Sequence, residues 1–368
     1  IIDYSPAPKD FFKSNDFTGS LSSAGWGDAI IMVPWTLYQR YGDVTVLEEN
    51  YQAMLRWHAF EVTSAAGDKI DDRQFLWDTK FNYGDWMLPS IMSATHGDPM
   101  ATSKATRAVV GTAFLAHTTD LLAKIAAVLH EDSQPFVNYA QNVRTAFAKY
   151  YLHAGRLERE LQGPYVLALA FDMVPDANIG VAVERLVALI HQNHECLDTG
   201  FLSVPYLLDV LVDHGQQALA RTLFTQDQCP SWLYEVDQGA TTIWETWAGI
   251  APDGTVGQFS FNHYAMGCVL DWFIRDVVGL NAVEPGFKSI TIAPKVAIVS
   301  DFMVTFASPQ GKIQLDLHDG RLKASIPAGV SASFQLPDRG PIEFTGTKEV
   351  DLGSGWSSEQ MEVQDESY

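Results

Sequence analysis

The chain has 368 residues, of which 24 are Lys or Arg and 45 are Asp or Glu, so its formal net charge is −21. Hydrophobic residues make up 47% and aromatic residues 12% of the sequence, a composition typical of a soluble globular protein. A chain this acidic repels phosphate backbones and anionic lipids, which disfavours nucleic-acid and membrane-surface binding. The longest apolar stretches, such as residues 29–35 and 166–171, fall well short of the ~20 residues that span a bilayer.

The cysteines and the start of the chain carry little functional information. Cys196, Cys229 and Cys268 share no Cys-x-x-Cys spacing, so we expect buried thiols and neither a disulfide framework nor a metal cluster. The chain begins Ile1-Ile2, without an initiator Met or the regions of a signal peptide. We therefore expect it to be a piece of something longer, and its localisation is not predicted.

Helical periodicity dominates the sequence up to about Pro285. Apolar residues recur at spacings of three and four, and glycine follows several of the predicted helix ends. We predict about nine helices: two within residues 31–57, and one each over 104–129, 134–151, 161–171, 179–192, 204–213, 216–224 and 262–278.

After Pro285 the pattern changes to an alternation with period two. It predicts short strands over 289–292, 302–306, 312–317, 322–326 and 333–336, separated by turns rich in Pro, Asp and Gly. These strands favour an antiparallel β-sandwich. The fold class is therefore mainly α with a β domain: an (α/α)6-barrel over residues 1–283, followed by a β-sandwich over residues 284–368. Such a barrel has twelve helices, so a prediction of about nine indicates that this one is N-terminally incomplete.

Four segments combine Trp with carboxylates or imidazole: residues 24–29, 82–86, 239–247 and 260–264. Aromatic faces stack on the C–H faces of pyranose rings and carboxylates accept hydrogen bonds from hydroxyls, so these segments favour a sugar site. The candidate residues are Trp26, Asp28, Asp85, Trp86, Trp244, Glu245 and His263.

Each candidate also has a purely structural interpretation. Asp28 could cap the helix that follows it, Asp85 could cap a turn after a glycine, and His263 could be a satisfied histidine at a helix start. Trp244 could be a core wedge. Glu245 resists such an interpretation best, since it lies between two Trp in an uncharged run, where an unpartnered carboxylate would cost several kcal/mol to desolvate.

Other catalytic chemistries find little support. The sequence has no Gly-x-Ser-x-Gly elbow, Gly-rich phosphate loop or His-Glu-x-x-His helix. His191 and His194 lie three residues apart with no third ligand at a known spacing, so we predict no metal site and no cofactor.

Five segments together resemble family 78 of the glycoside hydrolases, the inverting α-L-rhamnosidases. They occur in the family's order and span roughly residues 20–295, and the matching stretches are residues 24–43, 83–86, 197–208, 239–247 and 260–267. The resemblance implies hydrolysis of terminal α-L-rhamnose from a small-molecule or oligosaccharide rhamnoside, without a metal or cofactor.

The resemblance also implies a role for each candidate residue. Glu245 is the general base that activates the hydrolytic water. Trp26, Trp86 and His263 line the rhamnose pocket, and Trp244 contributes to its wall. Asp28 and Asp85 are assigned to substrate binding from their places in the motifs.

One family motif has no match. The family's general acid is a Glu within Asp-x-x-x-Arg-x-Glu-x-x-Gly-Trp-x-x-Asp, and nothing in residues 1–25 fits this pattern. We expect it to fall before Ile1, so the expected partners are that N-terminal part or a second copy of the chain.

Three hypotheses follow for the function of the chain. It is the C-terminal part of an inverting α-L-rhamnosidase, a non-catalytic rhamnose-binding or structural piece, or part of another α/α-barrel carbohydrate enzyme. In the third case Asp28 or Asp85 would serve as the acid.

Overall fold

The computed structural model describes residues 23–79, 81–336 and 339–353. The chain divides into two compact units. Of the described residues, those up to Trp35, Leu47–Val210 and Thr222–Gly267 form the first unit, and the others form the second. Helices dominate the first unit, whereas the second contains both four-stranded sheets.

Within the described residues there are eleven α-helices, compared with the nine that the sequence predicts. They are α1 (Ala29–Tyr41), α2 (Thr45–Ala66), α3 (Pro89–Ala94), α4 (Pro99–Val128), α5 (Gln134–Tyr151), α6 (Gln162–Ala170), α7 (Ile179–Gln192), α8 (Val204–Asp213), α9 (Gln217–Thr225), α10 (Trp232–Asp237) and α11 (Val269–Trp272). The sequence missed α3 and α10 because six residues are too few to show helical periodicity. The single helix predicted over 262–278 is a 3-10 turn, α11 and a π-helical turn in succession.

Helix α4 is the central helix of the first unit. Its start is set by Asp98, whose side chain accepts a hydrogen bond from Met100 N at 2.9 Å, and by Pro99 in the first turn. The helix therefore begins five residues before the predicted start at Lys104. It packs against α3, α5 and α6, and α6 packs against α7. Seventeen of its thirty residues are buried, so α4 presents core on most of its sides.

The strands of the second unit form two four-stranded sheets, and a separate two-stranded hairpin lies in the first unit. The hairpin consists of β1 (Leu152–His153) and β2 (Arg156–Leu157). The other strands are β3 (Leu280–Ala282), β4 (Ser289–Ile292), β5 (Phe302–Ser308), β6 (Gly311–His318), β7 (Arg321–Ser325), β8 (Ser331–Phe334), β9 (Ile342–Phe344) and β10 (Thr347–Asp351).

One sheet has the order β10-β7-β6-β5 and the other the order β3-β4-β8-β9. Alternate residues of β6, namely Ile313, Leu315 and Leu317, are buried, and they share one core with residues of both sheets such as Ile292 and Phe334. The apolar residues that recur with period two in the sequence are therefore those that face inward between the two sheets of a sandwich.

One strand pair departs from the predicted antiparallel arrangement. β4 pairs with β8 in parallel, with Ser289 opposite Ser331 and Ile292 opposite Phe334. Three strands of the other sheet come between β4 and β8 in the chain, and this long connection lets β8 return in the same direction as β4. A hairpin could not do so, which is why alternation alone missed the parallel pair.

Strand β3 begins at Leu280, ahead of the domain boundary that the sequence placed between residues 283 and 284. That boundary stays a prediction. Over the described residues, no helix combines the length and the apolar character needed to cross a bilayer.

Candidate active site

Trp26 and Trp86 lie on either side of Tyr83. The ring centroid of Tyr83 is 4.5 Å from that of Trp26 and 5.1 Å from that of Trp86. Tyr83 is 4% exposed, whereas both indoles are half-buried. The buried ring of Tyr83 therefore packs against both tryptophans, each of which stays partly exposed. Tyr83 was not among the predicted site residues, although it precedes Gly84 in one of the matching segments.

The segment that carries Tyr83 and Trp86 is held by hydroxyl side chains of α4. Thr112 Oγ1 accepts from Trp77 N and Thr106 Oγ1 accepts from Asp85 N, each at 2.9 Å. Ser103 Oγ donates to Asn82 O. These bonds satisfy backbone groups that would otherwise be buried without partners, so they fix the course of residues 77–86 against the helix.

The segment before α1 joins the same arrangement through Ser23. Its hydroxyl donates to Asn82 Oδ1 and accepts from Tyr83 N at 3.1 Å. Trp26 and Tyr83 are therefore brought together by backbone and side-chain contacts as well as by their rings.

Glu245 is tied to Ser260 in both directions. Glu245 N donates to Ser260 O, and Ser260 N donates to Glu245 Oε2, both at 2.9 Å. Two residues earlier, Ile243 O accepts from His263 N at 2.8 Å. The segments around Glu245 and His263 thus run side by side, and Glu245 is half-buried.

Phe201 links the segment that carries Trp86 to the segment that carries His263. Its backbone N donates to Trp86 O at 2.9 Å, and its ring centroid lies 4.9 Å from that of His263. Trp247 Nε1 also donates to Thr199 O at 3.0 Å. Trp26, Trp86, His263 and Glu245 consequently lie on four segments that contact one another in series. Phe201 was not among the predicted residues, although it lies within the matching stretch 197–208.

Asp85 is fully buried and holds the segment just before α8. Its Oδ1 accepts from Leu202 N and Ser203 N at 3.1 and 3.0 Å, and its Oδ2 accepts from Gly200 N at 3.0 Å and Ser203 Oγ at 2.6 Å. Burial raises the pKa of this carboxyl, and the four hydrogen bonds oppose that rise because they favour the anion. All of these contacts are with the protein, so the predicted contact with substrate stays a prediction.

Asp28 is also fully buried. Its Oδ2 accepts from Gly25 N at 2.7 Å and its Oδ1 from Trp57 Nε1 at 2.8 Å. These bonds run back into the turn that carries Trp26 and across to α2. They differ from the helix cap considered from the sequence, and a direct contact of Asp28 with substrate stays a prediction.

Trp244 is 3% exposed, and its ring centroid lies 5.1 Å from that of Phe261. Its backbone N donates to Glu235 Oε2 at 3.2 Å. As placed, Trp244 supports the loop of Glu245 from the interior, and its predicted part in the pocket wall stays a prediction.

Glu235 on α10 was not found from the sequence. It is 2% exposed, and its other oxygen, Oε1, has no hydrogen-bond partner among the described residues. Burial raises the pKa of Glu235 to about 7, and the bond from Trp244 N opposes the rise. The available signal was a carboxylate next to Tyr234 and Val236 in a short apolar run, nine residues before Trp244.

A groove of about 790 Å³ begins where two of the site segments end. Met87, which follows Trp86, and Thr246, which follows Glu245, both line it, together with mainly apolar side chains such as Met92 and Phe259. Its size is that of a small-molecule pocket.

Residues able to bind a metal are separate from these segments. Within the described ranges, ligand atoms of Asp301, His318 and Asp319 form a close group, and all three residues are exposed in the second unit. His191 Nδ1 pairs with Glu195 Oε1 at 2.7 Å, an exposed contact between the end of α7 and the turn that follows it. Cys196, Cys229 and Cys268 form no disulfide within the described ranges, and of the three thiols expected to be buried only Cys196 is, while the other two are half-buried.

Two family models match the chain. Residues 3–277 match the bacterial alpha-L-rhamnosidase six-hairpin glycosidase domain, and residues 279–351 match the bacterial alpha-L-rhamnosidase C-terminal domain. The first match confirms the predicted class of helical-hairpin fold, and the second accounts for the β domain.

Proteins similar to this chain are also named alpha-L-rhamnosidases. An alpha-L-rhamnosidase of Streptomyces avermitilis is 35% identical over 85% of this chain and 29% of its own length. One of Formosa agariphila is 31% identical over 86% of this chain and 34% of its own length. The chain thus spans about a third of the length of these relatives.

Solved structures agree with the sequence comparison. The Streptomyces avermitilis alpha-L-rhamnosidase complexed with L-rhamnose superposes with a TM-score of 0.78 and 32% identity, over 89% of this chain and 33% of that chain. The native enzyme of Aspergillus terreus gives a TM-score of 0.80 and 31% identity, over 91% of this chain and 39% of that chain.

Proposed function

Because the chain belongs to the bacterial α-L-rhamnosidases of glycoside hydrolase family 78, we propose that it supplies the general base and much of the sugar pocket of such an enzyme. The reaction is hydrolysis of a terminal, non-reducing α-L-rhamnose with inversion at the anomeric carbon. The observation that carries this proposal is the series of contacts that joins Trp26, Trp86, His263 and Glu245 across four separate segments.

Glu245 is the proposed general base. Ser260 N donates to Glu245 Oε2, which holds the carboxylate, and since Glu245 is only half-buried we assign the hydrolytic water to Oε1. The oxygen of this water attacks the anomeric carbon, its proton passes to Glu245, and the bond to the leaving oxygen breaks. Inversion requires the second carboxyl group roughly 6.5 to 9.5 Å away, where it protonates the leaving oxygen. We assign that acid to no residue of this chain.

His263 is oriented to donate a hydrogen bond to a sugar hydroxyl. Ala265 N donates to His263 Nδ1 at 3.2 Å, so Nδ1 carries no proton in the neutral ring. The proton then sits on Nε2, which becomes a donor directed away from the backbone. Trp26 and Trp86 supply the apolar wall, because each keeps one half-exposed face.

Asp28, Asp85 and Trp244 support the site from behind in this proposal. Each is buried: Asp28 holds the turn of Trp26, Asp85 holds the segment of Phe201, which packs on His263, and Trp244 N ties the loop of Glu245 to Glu235. Their substitution is therefore expected to disturb the shape of the pocket.

The test is a Glu245→Gln variant of this chain, fused to the part of the Streptomyces avermitilis relative that precedes the matched region. An amide cannot take a proton from water, so kcat on an aryl α-L-rhamnoside should fall by about 10²- to 10⁴-fold with a smaller change in KM. Azide should restore turnover of the variant, because a strong anionic nucleophile needs no general base. The azide product should have the anomeric configuration opposite to that of the substrate.

Glu343→Gln is the matched control, because Glu343 is exposed on β9 and lies outside the site. It should leave turnover unchanged. Near-normal turnover of Glu245→Gln would exclude Glu245 as the base. A fusion that binds L-rhamnose without hydrolysing the aryl rhamnoside would favour a non-catalytic sugar-binding role.

A further inference from the structure

Asp28 and Glu61 bring two carboxyl groups into contact in the interior of the first unit. Both residues are 0% exposed, and their side chains are hydrogen-bonded to each other. Asp28 immediately precedes α1, and Glu61 lies on α2 opposite Thr118 of α4. Two carboxylates in contact away from water repel each other strongly, so the pair holds one proton.

The hydrogen bonds show which carboxyl keeps the charge. Each oxygen of Asp28 faces a donor, Gly25 N at 2.7 Å and Trp57 Nε1 at 2.8 Å. Glu61 faces the Thr118 hydroxyl only at the longer distances of 3.3 and 3.4 Å, and that hydroxyl lies closer to Phe114 O, at 2.9 Å. Asp28 is therefore solvated as an anion, whereas Glu61 is not, and Glu61 donates the shared proton to Asp28.

Among the described residues, the groups that face the pair add no positive charge. His58 on α2 contacts Thr119 Oγ1 of α4 at 3.0 Å, and burial lowers the pKa of His58 to about 4, so its ring is neutral at pH 7. Tyr139 on α5 also faces Glu61, and burial together with the nearby carboxyl raises the pKa of its phenol. A proton is thus the available means of neutralising the second carboxyl.

Asp28 also closes the turn that carries Trp26. Gly25 has a φ of +80°, and a Cβ there would lie 2.5 Å from the side chain of Leu202. A Cβ on Gly27 would lie 2.1 Å from the ring of Trp57, which is the same residue that donates to Asp28. The residues on both sides of Trp26 are therefore closely packed. The carboxylate of Asp28 also links Gly25, at the start of the turn, to Trp57 on α2.

We propose that Asp28 and Glu61 form a one-proton carboxyl pair, and that Asp28 is a positioning residue that acts through Trp26. The effect on Trp26 rests on the proposed function, whereas the shared proton does not. Burial and the charge of Asp28 both raise the pKa of Glu61 well above its usual value of 4.5. Above about pH 4.5 the folded chain keeps a proton that the unfolded chain loses, so the pair's contribution to stability falls as the pH rises.

The first test is an infrared measurement of protonated carboxyl groups in this chain at about pH 8, where ordinary carboxyls are ionised. A Glu235→Gln background removes another buried carboxyl, whose pKa burial raises to about 7, whereas Asp198, whose pKa burial raises to about 6, is ionised at pH 8. We expect a carboxyl C=O band in this background that disappears on adding Glu61→Gln. Absence of the band from the parent chain, which carries no substitution, or a band that survives Glu61→Gln in the background, would overturn the shared proton.

The second test compares the pH dependence of the unfolding equilibrium. Glu61→Gln keeps an N–H donor for Asp28 but has no proton to lose. The ratio of the unfolding constants of the parent and the variant should therefore rise by up to about tenfold per pH unit between about pH 5 and pH 8. Parallel curves would contradict the proposal.

The third test concerns Trp26 and uses L-rhamnose binding by fully folded samples. Glu61→Leu removes the donor to Asp28 and should weaken binding roughly tenfold, the equivalent of one lost hydrogen bond, while Glu61→Gln should restore it. Equal affinity in both variants would overturn the positioning role. If the parent chain binds no L-rhamnose while the infrared band behaves as expected, the proposed function fails and the carboxyl pair stands.

Discussion

Ser260 N donates to Glu245 Oε2 and Ser260 O accepts from Glu245 N, so each residue fixes the other through two bonds of 2.9 Å. Ser260 is exposed, and the pair therefore lies at the mouth of the site. A hydrogen bond to an ionised carboxylate is stronger than a neutral one, which restricts the rotamers open to Glu245. The proposed base is thus oriented by backbone atoms, which no substitution at residue 260 except proline removes.

Tyr83 is predicted to control sugar affinity without contacting the sugar. Replacing it with Leu removes the ring on which Trp26 and Trp86 both pack, so L-rhamnose should bind several-fold more weakly. Tyr83→Phe keeps the ring and should keep the affinity. Titration of intrinsic tryptophan fluorescence with L-rhamnose measures both variants, and equal affinities would show that the ring does not position the indoles.

Asp85→Asn is predicted to destabilise the first unit by about 2 to 4 kcal/mol. The amide nitrogen would face a backbone N–H or the Ser203 hydroxyl, leaving buried donors without an acceptor. Asp98→Asn is the matched control, because Asn caps helix α4 as well as Asp does and position 98 caps it at the surface. Urea unfolding of the two variants gives the comparison, and similar midpoints would contradict the assignment.

Glu235 is predicted to make stability fall between about pH 4.5 and pH 7. Burial raises its pKa to about 7, so the folded chain holds a proton there that the unfolded chain has already lost. From the usual value of 4.5 to about 7, the loss amounts to about 3 kcal/mol and levels off above pH 7. Glu235→Gln should make the curve of unfolding free energy against pH less steep in this range, and an unchanged slope would show that Glu235 is ionised throughout.

The long elements of the fold were predictable from the sequence. Amphipathic periodicity located α5 and α7 to the residue, and alternation located β4 and β6 to within a residue at each end. The true start of α4 was missed because periodicity begins where the core contacts begin, whereas the helix begins at the Asp98 cap.

The site was predictable only in part, for a related reason. Trp86 and His263 stand out in sequence because aromatic and imidazole groups in polar loops are unusual. Phe201 and Glu235 act through a backbone contact and from a buried position, and the matching stretch around Phe201 and the apolar run around Glu235 do not by themselves reveal these contacts. The one-proton pair was invisible too, because Asp28 and Glu61 are 33 positions apart and belong to different segments.

The contact between the segments 82–86 and 199–203 limits how this site can be altered by loop exchange between relatives. A Cβ on Gly200 would lie 2.3 Å from Asp85 O and 2.4 Å from Trp86 O, so the first segment leaves no space for a side chain in the second. The ring of Phe201, which follows Gly200, packs against His263, so the position of His263 also depends on the fit between these two segments. A chimera that receives one segment from a homologue and keeps the other is expected to misfold locally. A chimera that receives both segments from the same homologue is expected to keep the local fold.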